Sequence, residues 1–320
     1  MVAALGLACA RTSAPVLAGP SPSAQHFAHD NATTAVLALT IDDLPLGGAD
    51  HGLREITEIN RALVDTLRRE RVPTVGFVNE KKLYRLGEVD ARIAVLEGWL
   101  AAGLELGNHT YAHSDFHRVG LRVYLDDVAR GETVTRLLLA RRKQTPRWFR
   151  QTFLRTGKNI SERDALTLAL GERGYTPAPV TLENDDWYFN ARYDAAHQRA
   201  DSALMRRIAD AYLQHWTTMF DFYEAMTLRL FHRRIAHVVL MHANRLNADH
   251  LPAVLALFRA RGYTFTTLEA ALADPAYRHP DRYAGKWGKS WLQRWLYTRG
   301  EDTLGREPEP PKWLQALPTK

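Results

Sequence analysis

The sequence predicts an α/β fold, a largely parallel sheet covered by helices, and three observations predict it. Short apolar runs rich in β-favouring residues alternate with longer amphipathic stretches along most of the 320 residues. The first such run, VLALTIDD from Val36 to Asp43, ends in two adjacent carboxylates, as a buried strand delivering charge to the rim of a site would. A hydrophobic content of 46% in a chain of this length is enough for a sizeable core. Periodicity does not choose between an open sheet and a closed barrel.

Residues 1–10, MVAALGLACA, are apolar, and Ala8-Cys9-Ala10 has the small-x-small form of a signal cleavage site, although the basic opening of such a signal is missing. The expectation is an exported protein, periplasmic or extracellular, with an imperfect lipoprotein context at Leu7-Ala8-Cys9 offering a lipid anchor as the alternative. Cys9 is the only cysteine, so a processed domain has no disulfide. Residues 11–31, with their Ser, Pro, Ala and Gly, read as a linker. No later stretch approaches the ~18 consecutive apolar residues of a membrane span. The expected organisation is residues 1–34 as export segment and linker, 35–275 as the catalytic-type domain, and 276–320 as a Trp-rich basic extension.

Within the domain, residues 36–41 read as a strand. Residues 53–69 have helical spacing through Ile56, Ile59, Leu63 and Leu67, and 73–78 form a second strand. A helix over 91–102 leads to a strand before His109. Then come a helix over 121–140, a strand over 147–150, a helix over 161–171, a short strand near Val180 and one long helix over 194–233. Strand 237–241, helix 248–260, strand 263–265 and helix 268–273 close the series.

Two stretches carry chemistry. Asp42 and Asp43 point to opposite faces of a regular strand, so both serve one site only if the strand ends there and the backbone turns, which Leu44-Pro45-Leu46-Gly47-Gly48 would provide. Two carboxylates in contact need a cation or hydrogen bonds between them. ELGNHTYAH, from Glu105 to His113, places His109 and His113 four apart. If the residues after Asn108 form a helical turn, both imidazoles project from one face and grip one cation. Two imidazoles and a carboxylate are a frequent set for zinc or a similar divalent ion, with positions left for water and substrate. His117 and Asp115, just after that pair, read as surface-loop residues, with extra ligands as the alternative.

Thr40-Ile41-Asp42-Asp43 resembles the T-F-D-D motif, and His109-Thr110-Tyr111-Ala112-His113 the H-[ST]-x-x-H motif, of the polysaccharide deacetylases with a NodB-type domain, carbohydrate esterase family 4. Phe149-Arg150-Gln151-Thr152-Phe153, Asp186-Trp187 and Leu240-Met241-His242 are similar to three further segments of that pattern, in the same order. The resemblance runs over about residues 36–272. It implies a distorted (β/α) barrel with its site on loops at the C-terminal strand ends. It further implies that Asp43, His109 and His113 bind a divalent metal, zinc foremost, with Asp42 as general base and His242 as general acid. Arg150 would hold Asp42 ionised and Asp186 would orient His242. The backbone N–H of Phe153 would be an oxyanion donor, and Trp187 and Leu240 would wall the acetyl pocket. Ile41, Leu44, Gln151-Thr152 and Glu183 depart from the pattern, which affects the shape of the groove and not the proton carriers.

The implied function is metal-dependent removal of acetyl groups from an N-acetylated, or O-acetylated, poly- or oligosaccharide. The alternatives are a non-catalytic glycan-binding protein on the same scaffold and a small-molecule amidohydrolase. In the extension, Trp287, Trp291 and Trp295 recur every four residues among Lys286, Lys289 and Arg294, and residues 276–320 hold nine Lys/Arg against five Asp/Glu. Such a stripe stacks on sugars, sits at an anionic membrane or docks as a helix on the barrel, docking being the expectation. The basic excess is modest and no nucleic-acid motif accompanies it, so nucleic acid is not an expected partner.

Overall fold

The computed structural model describes residues 1, 35–48, 51–301 and 306–319. The chain divides into two units, Met1–Thr33 and Thr34–Lys320, and the fold is that of the second. The export segment and linker expected over residues 1–34 fall, but for Met1, outside the described residues.

Seven parallel strands build one sheet among the described residues: β1 (Ala35–Leu44), β2 (Thr74–Val78), β3 (Glu105–Asn108), β4 (Trp148–Phe149), β5 (Thr176–Pro177), β6 (His237–His242) and β7 (Tyr263–Phe265). Their order is β5-β4-β3-β2-β1-β6, with β7 pairing to the start of β1. The two ends of that order are tied by one short piece of chain. Pro177 pairs with Phe149 of β4, and Leu182 bridges Val239 of β6. That leaves at most about 18 Å of chain to span the gap between the edges. Ala178 N–H donates to Phe149 O, whereas Thr181 N–H and Leu182 N–H donate to Val238 O. The sheet therefore curls into a distorted (β/α) barrel, the choice that periodicity alone left undecided.

Helices α1 (Leu53–Glu70), α2 (Val89–Ala101), α3 (Phe116–Arg130), α4 (Thr133–Ala140), α5 (Ile160–Glu172), α6 (Asp186–Gln198), α7 (Ser202–Phe231), α8 (Arg245–Ala260) and α9 (Leu268–Leu272) fill the connections. The α1 stripe Ile56, Ile59, Leu63 and Leu67 is buried, as its spacing predicts, in the same core as Leu37, Leu39 and Ile41 of β1.

Two helices expected as single elements are broken. The helix expected over 121–140 does resume at residue 121, after a first turn from Phe116 that ends in a kink at Gly120 (φ +75°, ψ 172°), and is interrupted at Gly131. A Cβ there would lie 2.4 Å from the Thr110 carbonyl carbon and 2.5 Å from Tyr111 N, so glycine lets the α3–α4 corner press against the loop of the histidine motif. The helix expected over 194–233 begins at Asp186 and breaks between Gln198 and Ser202, where Ala200 has φ +54° and Asp201 caps α7 by accepting from Leu204 N–H. Hydrophobic spacing is insensitive to such interruptions because it runs on across them.

Two further helices, α10 (Trp291–Thr298) and α11 (Lys312–Gln315), belong to the Trp-rich extension. A capping box between Ser290 and Gln293 starts α10. Trp295 is buried in the main core, its ring 5.5 Å from that of Phe231 and 5.7 Å from that of Tyr277. The helix begins only at Trp291, so Trp287 leaves the stripe and is 58% exposed, with Lys286 Nζ 4.8 Å from its ring. Among the described residues no helix is long and apolar enough to cross a membrane.

Burial separates these two tryptophans in stability. Trp295→Ala is expected to cost about 3–5 kcal/mol and Trp287→Ala under about 0.5 kcal/mol, measured by chemical denaturation of the full chain.

Candidate functional site

The site sits where β1, β3, β4 and β6 end. Thr40 and Asp42 lie on one face of β1, two residues apart, with Leu240 and His242 beside them in register on β6. Asp43 should point away. Its φ of +71° and a register shift against β2 between Ile41 and Leu44 turn the chain within the strand itself, one residue earlier than the expected turn, and bring its carboxylate to the same centre.

His109 and His113 do meet, but not on a helical turn. Thr110 and His113 have φ of +66° and +56°, and the ring centroids are 4.9 Å apart. Asn108 Oδ1 accepts from Thr110 N–H at 2.7 Å, and the Asp127 carboxylate of α3 accepts from Ala112 N–H and Ser114 N–H at 3.2 and 3.3 Å. The loop is thus folded around side-chain acceptors that replace helical hydrogen bonds. Neither Asn108 nor Asp127 stands out in the sequence, because an Asx-type loop needs only one acceptor at the right place.

Asp43 Oδ1 lies 3.7 Å from His109 Nε2 and 3.6 Å from His113 Nε2, and the three side chains offer donor atoms within 4.8 Å of one another. His109 Nδ1 is 2.8 Å from Arg150 O. A carbonyl can only accept, so Nδ1 carries the proton and Nε2 presents its lone pair to the centre. Burial holds the pKa values of both histidines below the ordinary imidazole range, keeping them neutral. For Asp43 burial acts upward, but the Lys82 ammonium, 4.0 Å from Oδ1, with the protonated His242 beyond it, holds it well below the usual carboxylate range. Asp43 Oδ1 is buried and accepts no hydrogen bond among the described residues. An anionic oxygen left without a donor beside two neutral imidazoles fits a divalent cation. Asp115 and His117 are outside this group: Asp115 caps α3 and pairs with Arg155, and His117 Nδ1 bonds Lys286 O at 3.3 Å.

Beside the donor set, Asp42 is buried, and Arg150 Nη1 stands 3.5 Å from its Oδ2. Arg150 Nη2 donates to Thr40 Oγ1 at 2.8 Å, and Thr40 Oγ1 to Val239 O at 2.6 Å, which fixes the guanidinium. Burial pushes the Asp42 carboxyl up to about 6, against the pull of Arg150 and His242. On β6, His242 Nδ1 is 2.6 Å from Asp186 Oδ1, and Asp186 Oδ2 accepts from His242 N–H at 2.7 Å and from the amides of Asn244 and Asn247. Burial disfavours the imidazolium, but Asp186, with Asp43 and Asp42 behind it, outweighs that and raises His242 to about 10. Asn244 and Asn247, the cap and third residue of α8, were not singled out by sequence; an Asn-x-x-Asn pair after the LMH segment was the signal available.

Phe153 has φ +57° and Leu154 +51°, two successive left-handed residues in a short turn, and the Phe153 ring lies edge-on to His113 at 4.5 Å. Thr152 donates its hydroxyl to Ser114 O at 2.5 Å and its N–H to Tyr124 Oη at 3.3 Å, tying this turn to the histidine loop. Leu240 is buried with Leu154 and Val180. Trp187 sits in the first turn of α6, 58% exposed, its ring edge-on to Tyr188 at 5.7 Å.

Fold and site together define a parallel barrel with three grouped donors of a kind suited to a divalent cation, flanked by a buried acid and a carboxylate-paired histidine. Residues 29–169 match the family model described as polysaccharide deacetylase. Among solved structures it is similar to a mutant of a carbohydrate esterase family 4 pseudoenzyme with restored enzymatic activity, at 18% identity and TM-score 0.50 over 75% of this chain and 68% of that one. The wild-type pseudoenzyme, from Bacillus anthracis, is 17% identical at TM-score 0.49 over 75% and 66%. A family 4 carbohydrate esterase from Streptomyces lividans in complex with acetate is 15% identical at TM-score 0.47 over 74% and 95%. No curated protein matches the chain.

The Asp186 pair has a pH signature. A histidine raised by its partner contributes stability that is fully present below the ordinary imidazole value near ~6.5 and is lost as pH climbs through the folded value of about 10. Asp186→Asn should therefore be less stable than the parent at pH 6, with the gap narrowing toward pH 10. His242 should titrate well below its parent value in NMR of the metal-free variant.

Proposed function

We propose that the protein is a metal-dependent hydrolase that removes acetyl groups from an N-acetylated, or O-acetylated, glycan. The observation that carries this reading is the placement of Asp42 and His242 as register partners on adjacent strands, beside the Asp43–His109–His113 donor set. A cation-binding module needs no such acid–base pair.

The bound ion, zinc being favoured by two imidazoles and a carboxylate, would be held by Asp43, His109 and His113 and would supply carbonyl polarisation and a more acidic water. Asp42 takes the proton of the attacking water at its unbonded Oδ1, a role suited by a pKa of about 6. Arg150 keeps Asp42 in place and favours its ionised form. His242, protonated through its bond to Asp186, gives its Nε2 proton to the departing amine or alcohol oxygen. Phe153 N–H stabilises negative charge on the acyl oxygen as the tetrahedral intermediate forms. The amine and acetate leave, and the two carriers return to their starting states through solvent.

Export of the protein, expected from residues 1–10, is part of the same proposal, since a glycan polymer of the cell envelope is met outside the cytoplasm.

Acetate release from acetylated chitooligosaccharides, peptidoglycan, xylan and an aryl acetate, with and without added metal, tests the reading. Asp42→Asn should retain metal by elemental analysis and lose turnover by about 10²–10⁴-fold, whereas Asp43→Asn should lose metal and recover in part at high metal concentration. The rate should rise with pH as Asp42 ionises near 6 and fall as His242 deprotonates near 10. His242→Ala should lose the alkaline limb and spare the aryl acetate, whose phenolate needs little protonation. Normal turnover in Asp42→Asn, or full activity after exhaustive metal removal, overturns the mechanism.

A further inference from the structure

Leu240 shares the β6 face of His242, two residues below it, and forms a small apolar cluster with Leu154 and Val180. Leu154 follows directly on Phe153. That cluster borders the reacting centre on both sides in sequence, yet the residue packed over it comes from neither the strand ends nor their loops. It is Trp291, the first residue of α10, partly buried against Leu154, Val180 and Leu240.

Trp291 is held there by several independent contacts. Its backbone N–H donates to Val180 O at 2.7 Å. The Arg294 guanidinium lies 4.2 Å from its ring, and Arg294 is itself paired with Asp281. Ser290, fully buried, caps the helix in front of it. The chain leading to it is equally close to the site. A Cβ on Gly288 would lie 1.8 Å from Phe153 O, so only glycine allows this approach, and Lys286 O bonds His117 just past the histidine motif. Trp187, by contrast, is 58% exposed.

We infer that Trp291 is a specificity-determining residue of the acyl pocket, closing it against Leu154, Val180 and Leu240 and setting the length of acyl group the site accepts. The extension is then part of the active site and not an appendage to it. The inference rests on the deacetylase reading. A fixed indole packed on a three-residue aliphatic floor opposes additional methylenes, and one methylene against a rigid apolar wall is worth about 10–200-fold in discrimination.

The test is the ratio of kcat/KM for propionyl over acetyl, and for butanoyl over acetyl, on N-acylated glucosamine oligosaccharides and on 4-nitrophenyl esters. The ratio does not depend on the fraction of enzyme that is folded. Trp291→Ala should raise the propionyl ratio by about 10-fold or more, Trp291→Phe should raise it less, and Trp287→Ala, in the exposed part of the same segment, should leave it unchanged. Thermal melts and metal content accompany each variant. If Trp291→Ala does not fold, Trp291→Phe, which keeps a ring for Arg294, supplies the ratio. An unchanged ratio in an active Trp291 variant overturns the inference and leaves the deacetylase reading standing. A wild-type enzyme that hydrolyses no member of either series overturns both.

Discussion

Two acidic residues that follow each other in sequence and share one buried centre are the constraint on which the rest of this structure turns. A strand would separate them, and electrostatics would neutralise one of them. Both difficulties are met locally. The left-handed backbone at Asp43 removes the first, and an uneven balance of burial and charge removes the second, with Lys82 holding Asp43 ionised and burial outweighing Arg150 at Asp42. One carboxylate is held as an anion and the other is poised to exchange a proton. Pairs whose environments push their pKa values apart are how one pocket supports two roles.

Around that pair, order comes from hydrogen bonds more than from ion pairs. Thr40 steadies Arg150, Asn244 and Asn247 steady Asp186, and Asn108 with Asp127 shapes the histidine loop. Each is buried, so each must be hydrogen-bonded, and each bond fixes a group that faces the centre. These hydrogen bonds hold the donor atoms in their orientations.

Strands and the α1 stripe were legible in the sequence because burial on a regular element leaves a period, as Ile56, Ile59, Leu63 and Leu67 do. Interruptions were not legible. Ala200 turns left-handed and Gly131 yields to a loop from elsewhere in the chain, and neither leaves a mark in hydrophobic spacing. Asp42, Asp43, His109, His113, Arg150, Asp186 and His242 converge in space as their motifs suggested, though the histidines do so through an irregular loop. The geometry that aims them is set by residues distant in sequence, and a pattern of local spacing carries no record of those. Barrel closure was hidden for the same reason, since it depends on residues 178–182 bonding both edges of the sheet at once.

Arg150 acts in this site twice, through different atoms. Its guanidinium faces Asp42, while its peptide carbonyl fixes the ring of His109. Only the first of these is encoded by the identity of the side chain. The carbonyl survives any substitution at that position, so an alanine scan would score the residue by half of what it does. Conversely, a change in a neighbour that tilts this peptide plane would disturb His109 without touching either histidine or the arginine itself. The backbone just past a short strand is in this sense a functional group of the site, heritable only through whatever keeps the strand where it is.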